Sequence, residues 1–135
     1  MYSNILIPVL FGEGRDHPQA VAVAKHLASE GARITLLHVM EQLPMYAAEY
    51  VPADTVAGNR ERIATRLKMM ASELPNGQSA VIEGATGRSI TDYAEQNGVD
   101  LIVIASHQPA LSDILLGSTA AWVTRHAKCA VHVIR

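Results

Sequence analysis

The segment richest in chemistry is Ala105-Ser106-His107-Gln108, followed after eight residues by Gly117-Ser118-Thr119. It gathers hydroxyls, an imidazole and an amide directly after a strongly apolar run, and closes on a glycine just before a helical pattern. Gly117 lets the backbone approach a ligand and adopt positive φ. Ser118 or Thr119 would open the helix, where N–H groups without intrahelical partners and the helix dipole favour an anion. Their hydroxyls would add hydrogen bonds to phosphate oxygens. These residue types point to an anion site, and they equally suit a plain helix start with a capping serine. His107 would either contact the anion or fill the loop.

Other reactive side chains form no comparable pattern. Six histidines are present, but His17 and His26 are too far apart for adjacent helical turns, and no H-E-x-x-H occurs. His38 and His132 fall in strand-like runs, and His126 lies near a helix end, where a cation is favourable. No metal site is expected. Ser106-His107 lacks an orienting third group, so it is not a catalytic pair. Asp16 and Asp113 are read as capping and solvated residues, with magnesium beside an anion as their other use. Cys129 has no activating constellation and reads as inert packing. No lysine-bearing phosphate loop, general base or pair of metal carboxylates is identifiable, so any hydrolysis would be slow.

The elements that must position these residues follow from composition and periodicity. The 135 residues are read as one domain, 1–135, and about half of them are hydrophobic, enough for a core without disulfides or structural metal. Aromatics are scarce, so the core must be aliphatic. The formal charge is −2, with no basic cluster, which argues against nucleic acid as a partner. No apolar stretch approaches the roughly 18 residues of a membrane helix. The start lacks the features of a signal peptide, and a single cysteine suits a reducing compartment, so a cytoplasmic location without membrane association is expected.

Asn4–Leu10 is a continuous apolar run, as in a strand buried on both faces. Asp16 is a plausible N-cap, with Pro18 in the first turn of a helix that Gly31 ends. Ala32–Met40 is the second strand. Glu41–Asp54 is irregular, and its Met45-Tyr46…Tyr50 segment would cover a cleft or pack on a partner subunit. Thr55–Leu74 is a helix with Ile63, Leu67 and Met70 as its apolar stripe. Gln78–Glu83 is the third strand, Thr86 would cap the helix Arg88–Asn97, and Gly98 stops that helix. Val99–Ala105 is a strand, Ser118–Ala127 a helix carrying Trp122 towards core or interface, and Cys129–Ile134 the last strand. Strict strand–helix alternation predicts an α/β fold, a five-stranded parallel sheet with helices on both faces. Ligands of such sheets lie beyond the carboxyl ends of strands where strand order reverses, here between the first and fourth.

The sequence resembles the universal stress protein family along its whole length. Asn4-Ile-Leu-Ile-Pro-Val resembles the family's first strand and Leu37-His38-Val39 the end of its second. Glu83-Gly84 with Ile90 and Ala94 resembles the third strand and following helix. Asp100–Arg135 resembles a subgroup with an A-S-H-R-P loop and an L-L-G-S-N-A turn. The resemblance implies the Rossmann-like strand order 3-2-1-4-5 seen in adenine nucleotide alpha hydrolase-like folds. It also implies a stress-response homodimer, or a higher homo-oligomer, paired through the last strand, Cys129–Ile134. The implied ligand is ATP or AMP, with or without Mg2+. Pro8, Val9, Leu10 and Val39 would flank adenine and ribose. Ala105, Ser106, His107, Gln108, Gly117, Ser118 and Thr119 would surround the phosphates.

The chain departs from the family pattern in places. Ala105 and Gln108 stand where the nucleotide-binding branch has glycines, Gln108 replaces an arginine and Thr119 an asparagine, whereas Gly117-Ser118 matches. Leu10 replaces an aspartate that helps hold the ribose. Losing one such hydrogen bond costs about 0.5–1.5 kcal/mol, roughly a few-fold to tenfold in affinity. The resemblance therefore leaves three readings: a nucleotide-binding module, a very slow ATPase, and a nucleotide-free dimer that docks on a protein client.

Overall fold

The computed structural model of the chain describes residues 1–10, 17–41, 45–106 and 117–135. Five strands and five helices follow one another in these stretches. They are β1 (Tyr2–Pro8), α1 (His17–Leu27), β2 (Ala28–Met40), α2 (Met45–Ala48), α3 (Ala53–Ser72), β3 (Gly77–Glu83), α4 (Thr86–Gln96), β4 (Leu101–Ala105), α5 (Ser118–His126) and β5 (Ala130–Ile134). All pairings are parallel, and the sheet order is β3-β2-β1-β4-β5. The expected fold and strand order are both observed. The expected Asp16 cap lies outside the described residues.

The aliphatic strands are buried on both faces because each face carries its own helices. Successive side chains of a strand point to opposite sides. Ile5, Ile7, Val9, Ile34, Leu36, Leu101 and Val103 therefore share one cluster with Ala20 and Ala24 of α1 and with Leu67 and Ala71 of α3. Leu6, Leu37, Val39, Ile102 and Ile104 share the other with Ile90 and Ala94 of α4 and with Ala120 and Val123 of α5. Ile63 and Met70 pack on the first cluster beside Leu67, as their spacing predicts.

Three local expectations change. Gly31 does not end a helix: α1 stops at Leu27 and the chain enters β2 at Ala28. Tyr2 pairs with Ala28 but Asn4 with Arg33, so two residues along β1 match five along β2. Gly31, at φ +76°, takes up the surplus, and Asn76 Nδ2 donates to its carbonyl at 3.1 Å. Thr86 does not cap α4 but is its first residue, and its hydroxyl donates to Glu41 at 2.9 Å. Within the irregular stretch, Met45–Ala48 forms the short helix α2.

Gly98 does stop α4. At φ +65° it follows Asn97, and the Val99 N–H reaches back to the Ala94 carbonyl at 3.0 Å, while both side chains enter the same apolar cluster. The turn also docks β1. The Asp100 carboxylate accepts the N–H groups of Ser3 and Asn4 at 2.9 and 3.0 Å and the Ser3 hydroxyl at 3.1 Å. Asn4 Nδ2 donates to the Asn97 and Gly98 carbonyls at 2.8 and 3.1 Å. These bonds fix β1 beside β4, the pair at which strand order reverses.

Candidate functional site

Because every strand is parallel, all five carboxyl ends open on one edge of the sheet. β1 pairs with β2 on one side and with β4 on the other, so strand order reverses there, the place at which open parallel sheets offer a ligand crevice. Pairing of β1 with β2 ends at Pro8↔Leu37. The next residue, Val9, is 1% exposed and donates its N–H to the Leu37 carbonyl at 2.7 Å. Its own carbonyl meets His38 Nδ1 at 2.8 Å. A carbonyl can only accept, so this contact assigns the imidazole proton to Nδ1. Pro8 is buried and Leu10 half-buried beside this exit.

At the end of β4, Ala105 pairs with Ile134 and is half-buried. Ser106 is 5% exposed, and both its N–H (2.8 Å) and its hydroxyl (3.0 Å) donate to the Ile134 carbonyl. Its proton is thus directed at β5, and its lone pairs are what it can offer a ligand. His107 and Gln108 lie outside the described residues.

The start of α5 has the character that the sequence suggests, with one correction. Gly117 is at φ −61° and ψ 156°, extended rather than left-handed. It is the residue before the first helical one, where β-region angles are normal. Its carbonyl accepts the Ala121 N–H at 2.9 Å, the first bond of the helix. The amides of Ser118, Thr119 and Ala120 precede that bond, and the N-cap residue, being glycine, offers them no side-chain cap. Ser118 is exposed and Thr119 half-buried. The first turn has no acidic residue, while Arg125 and His126 occupy the last turn, where cations suit the dipole. The arrangement is an anion-competent helix start facing the crevice edge.

On the far side, Val39 is 6% exposed with its side chain among the second cluster, and the Gly84 N–H donates to the Met40 carbonyl at 3.0 Å. Among the described residues, no group of three metal-ligating side chains forms a cation site. Asp16 and Asp113 lie outside those residues. His38 is the functional candidate that sequence reading passes over. Its signal is positional: it is the polar residue that breaks the run Leu36-Leu37-His38-Val39 close to the carboxyl end of β2.

Cys129 belongs elsewhere. It lines a groove of about 330 Å³ between α4 and α5, with Trp122, His126 and Lys128, at the amino ends of β4 and β5. Burial pushes its thiol up from the usual range, and the Asp100 carboxylate adds to the effect. A thiol so raised is a poor nucleophile at neutral pH. The groove's charges are matched internally, with Lys128 2.9 Å from Glu95.

Comparison with known proteins agrees with this architecture. The universal stress protein family profile matches residues 1–135. Universal stress protein G of Escherichia coli O157:H7 is 32% identical over 142 positions, covering 100% of both chains. A hypothetical protein solved as a structural-genomics test case superposes with a TM-score of 0.82 at 26% identity, covering 99% of this chain and 96% of that one. UspA from Lactobacillus plantarum gives 0.74 at 28% identity, covering 99% and 98%. More distant neighbours share the fold, and some were solved with nucleotides. They are an Archaeoglobus fulgidus protein with dAMP (18% identical, TM-score 0.69), an Arabidopsis thaliana protein with AMP (16%, 0.63) and a universal stress protein with cAMP (21%, 0.63).

Proposed function

Since this chain belongs to the universal stress protein family, we propose that it binds an adenine nucleotide. ATP or AMP would lie in the crevice between the ends of β1 and β4, with its phosphates at the start of α5. The observation that carries this reading is the α5 amino terminus, which opens on a glycine N-cap with no side chain of its own and follows β4, the strand at which the order reverses. Three amides without intrahelical partners and the Ser118 hydroxyl suit phosphate oxygens, and the dipole favours their charge. Pro8, Val9 and Leu10 suit the flat apolar base. Leu10 does not suit a ribose hydroxyl, so the sugar contributes less here than the phosphates. Structural neighbours solved with AMP, dAMP or cAMP support the ligand class.

The functional unit in this reading is a homodimer formed through β5. That strand closes one end of the sheet and pairs only with β4 among the described residues, leaving a row of backbone donors and acceptors along its outer edge.

A thermal-shift titration of nucleotide-stripped protein with ATP, ADP and AMP, with and without magnesium, tests the site. A ligand that binds only the native state at one hundred times its Kd stabilises it by about 2.7 kcal/mol. That is a shift of several degrees for a chain of this size. The shift is expected to disappear in Gly117→Val. Valine accepts the extended angles of Gly117, so the loss would report the added side chain rather than backbone strain. No shift at millimolar nucleotide would leave the protein-docking reading, which Leu10 favours.

A further inference from the structure

We propose that His38 is a positioning residue of this nucleotide site, holding the peptide that carries β1 into the crevice. The inference rests on the nucleotide reading above and deepens it.

Pairing between β1 and β2 ends at Pro8↔Leu37, yet the chain is not released there. The Val9 N–H still reaches the Leu37 carbonyl at 2.7 Å, which orients the peptide between Pro8 and Val9. The next peptide, between Val9 and Leu10, is oriented by a side chain instead: its carbonyl accepts His38 Nδ1–H at 2.8 Å. A peptide is planar, so fixing its carbonyl fixes the direction in which Leu10 leaves. His38 thus sets the exit angle of the residue that heads into the crevice.

The placement is specific. His38 lies on the same side of β2 as Ile34 and Leu36, and Val9 on the same side of β1 as Ile5 and Ile7. The two residues follow the last rung on one face of the sheet, and the imidazole is half-buried there. A hydrogen bond in such a site is shielded from competing water. At the opposite, amino edge, β1 is tied to the turn before β4 by bonds to the Asp100 carboxylate and from the Asn4 side chain.

Asparagine and histidine place a side-chain nitrogen the same number of bonds from the backbone, so His38→Asn can keep the bond whereas His38→Leu cannot. Calorimetric titration with ATP and AMP at a temperature where all proteins are folded separates the roles. His38→Leu is expected to weaken nucleotide binding by about two- to tenfold, the span of one lost hydrogen bond. His38→Asn is expected to restore affinity to within about twofold of wild type. Asp100→Asn, which puts an NH2 donor in place of one of the two accepting oxygens at the opposite edge, is expected to lower the melting temperature and leave affinity unchanged. Should His38→Leu fail to fold, His38→Gln, whose donor stands one methylene too far, takes its place.

Wild-type affinity in His38→Leu, loss without rescue by His38→Asn, or equal loss in Asp100→Asn would each overturn the proposal. A wild-type protein that binds neither nucleotide would instead overturn the nucleotide reading itself, and the positioning role with it.

Discussion

In the proposed nucleotide site, the half-buried Leu10 would present an apolar side chain beside the end of β1. A carboxylate there would accept a sugar hydroxyl. Leu10→Asp is therefore expected to tighten ATP and AMP binding by about 0.5–1.5 kcal/mol, a few-fold to tenfold, read by calorimetry. It is expected to leave 2′,3′-dideoxy analogues unaffected. Asp100 shows the opposite use of a carboxylate, in architecture. Partial burial alone would raise its pKa, but the bonds from Ser3 and Asn4 outweigh burial and hold it below the ordinary 3.8. A lowered folded value means that its stabilisation is present above 3.8 and fades as pH falls through the folded value. Asp100→Asn is accordingly expected to cost about 1 kcal/mol at pH 7, the charge-assisted bonds being discounted for solvent access. The gap to wild type should close in acid, as followed by melting temperature from pH 7 to pH 2.

At the scale of elements, α4 and α5 lie against each other through their smallest and largest residues. A side chain on Gly87 would place its Cβ 2.7 Å from Trp122 Cγ and 2.8 Å from Cδ1, so the indole depends on glycine there. Its ring stacks on His126 with centroids 3.8 Å apart, and it remains 40% exposed, an intermediate between core and surface. Gly87→Ala gains at most about 1 kcal/mol of helix propensity, whereas overpacking costs about 1–3 kcal/mol. The net expectation is destabilisation by about 1 kcal/mol, with a red shift in the emission of the single tryptophan as it swings outward. Wild-type emission and stability would show that the helices separate without strain. Because α5 also carries the anion-competent start, the same variant tests whether that start, Ser118, is disturbed from Trp122, one turn along the helix.

For the whole molecule, the sheet has two edges, and they differ. β3 is covered by α3, whose Arg60 bonds to Glu83 and to the Val81 carbonyl. β5 is short, with Ala130 and His132 exposed. In a two-fold pairing of β5 strands, the central residue, His132, would lie next to its own copy. His132→Glu would then oppose like charges across the axis. Light scattering is expected to give twice the chain mass for wild type and a concentration-dependent monomer for His132→Glu. An unchanged mass would move the interface away from β5. Among the described residues, no helix is long and apolar enough to cross a membrane.

Much of this architecture was legible in the sequence because it rests on local periodicity. Apolar runs such as Asn4–Leu10 and Leu101–Ala105 specify strands buried on both faces. The Ile63, Leu67 and Met70 stripe specifies a helix, and alternation of the two specifies a parallel sheet with a crevice at one edge. Gly117-Ser118 as the start of the last helix followed in the same way, and the family resemblance came from those same motifs. What only the tertiary structure decided were the partners of polar groups and the angles of glycines. Gly31 reads as a helix terminator but absorbs a register shift against β1, and Gly117 is extended rather than left-handed. Ser106 turns its proton to Ile134, 28 residues away, and His38 holds Val9, 29 residues away. Asp100 finds Ser3 and Asn4 from 97 and 96 residues away. Burial patterns repeat along a chain and can be read from it, but such bonds are chosen only when strands distant in sequence come to lie side by side.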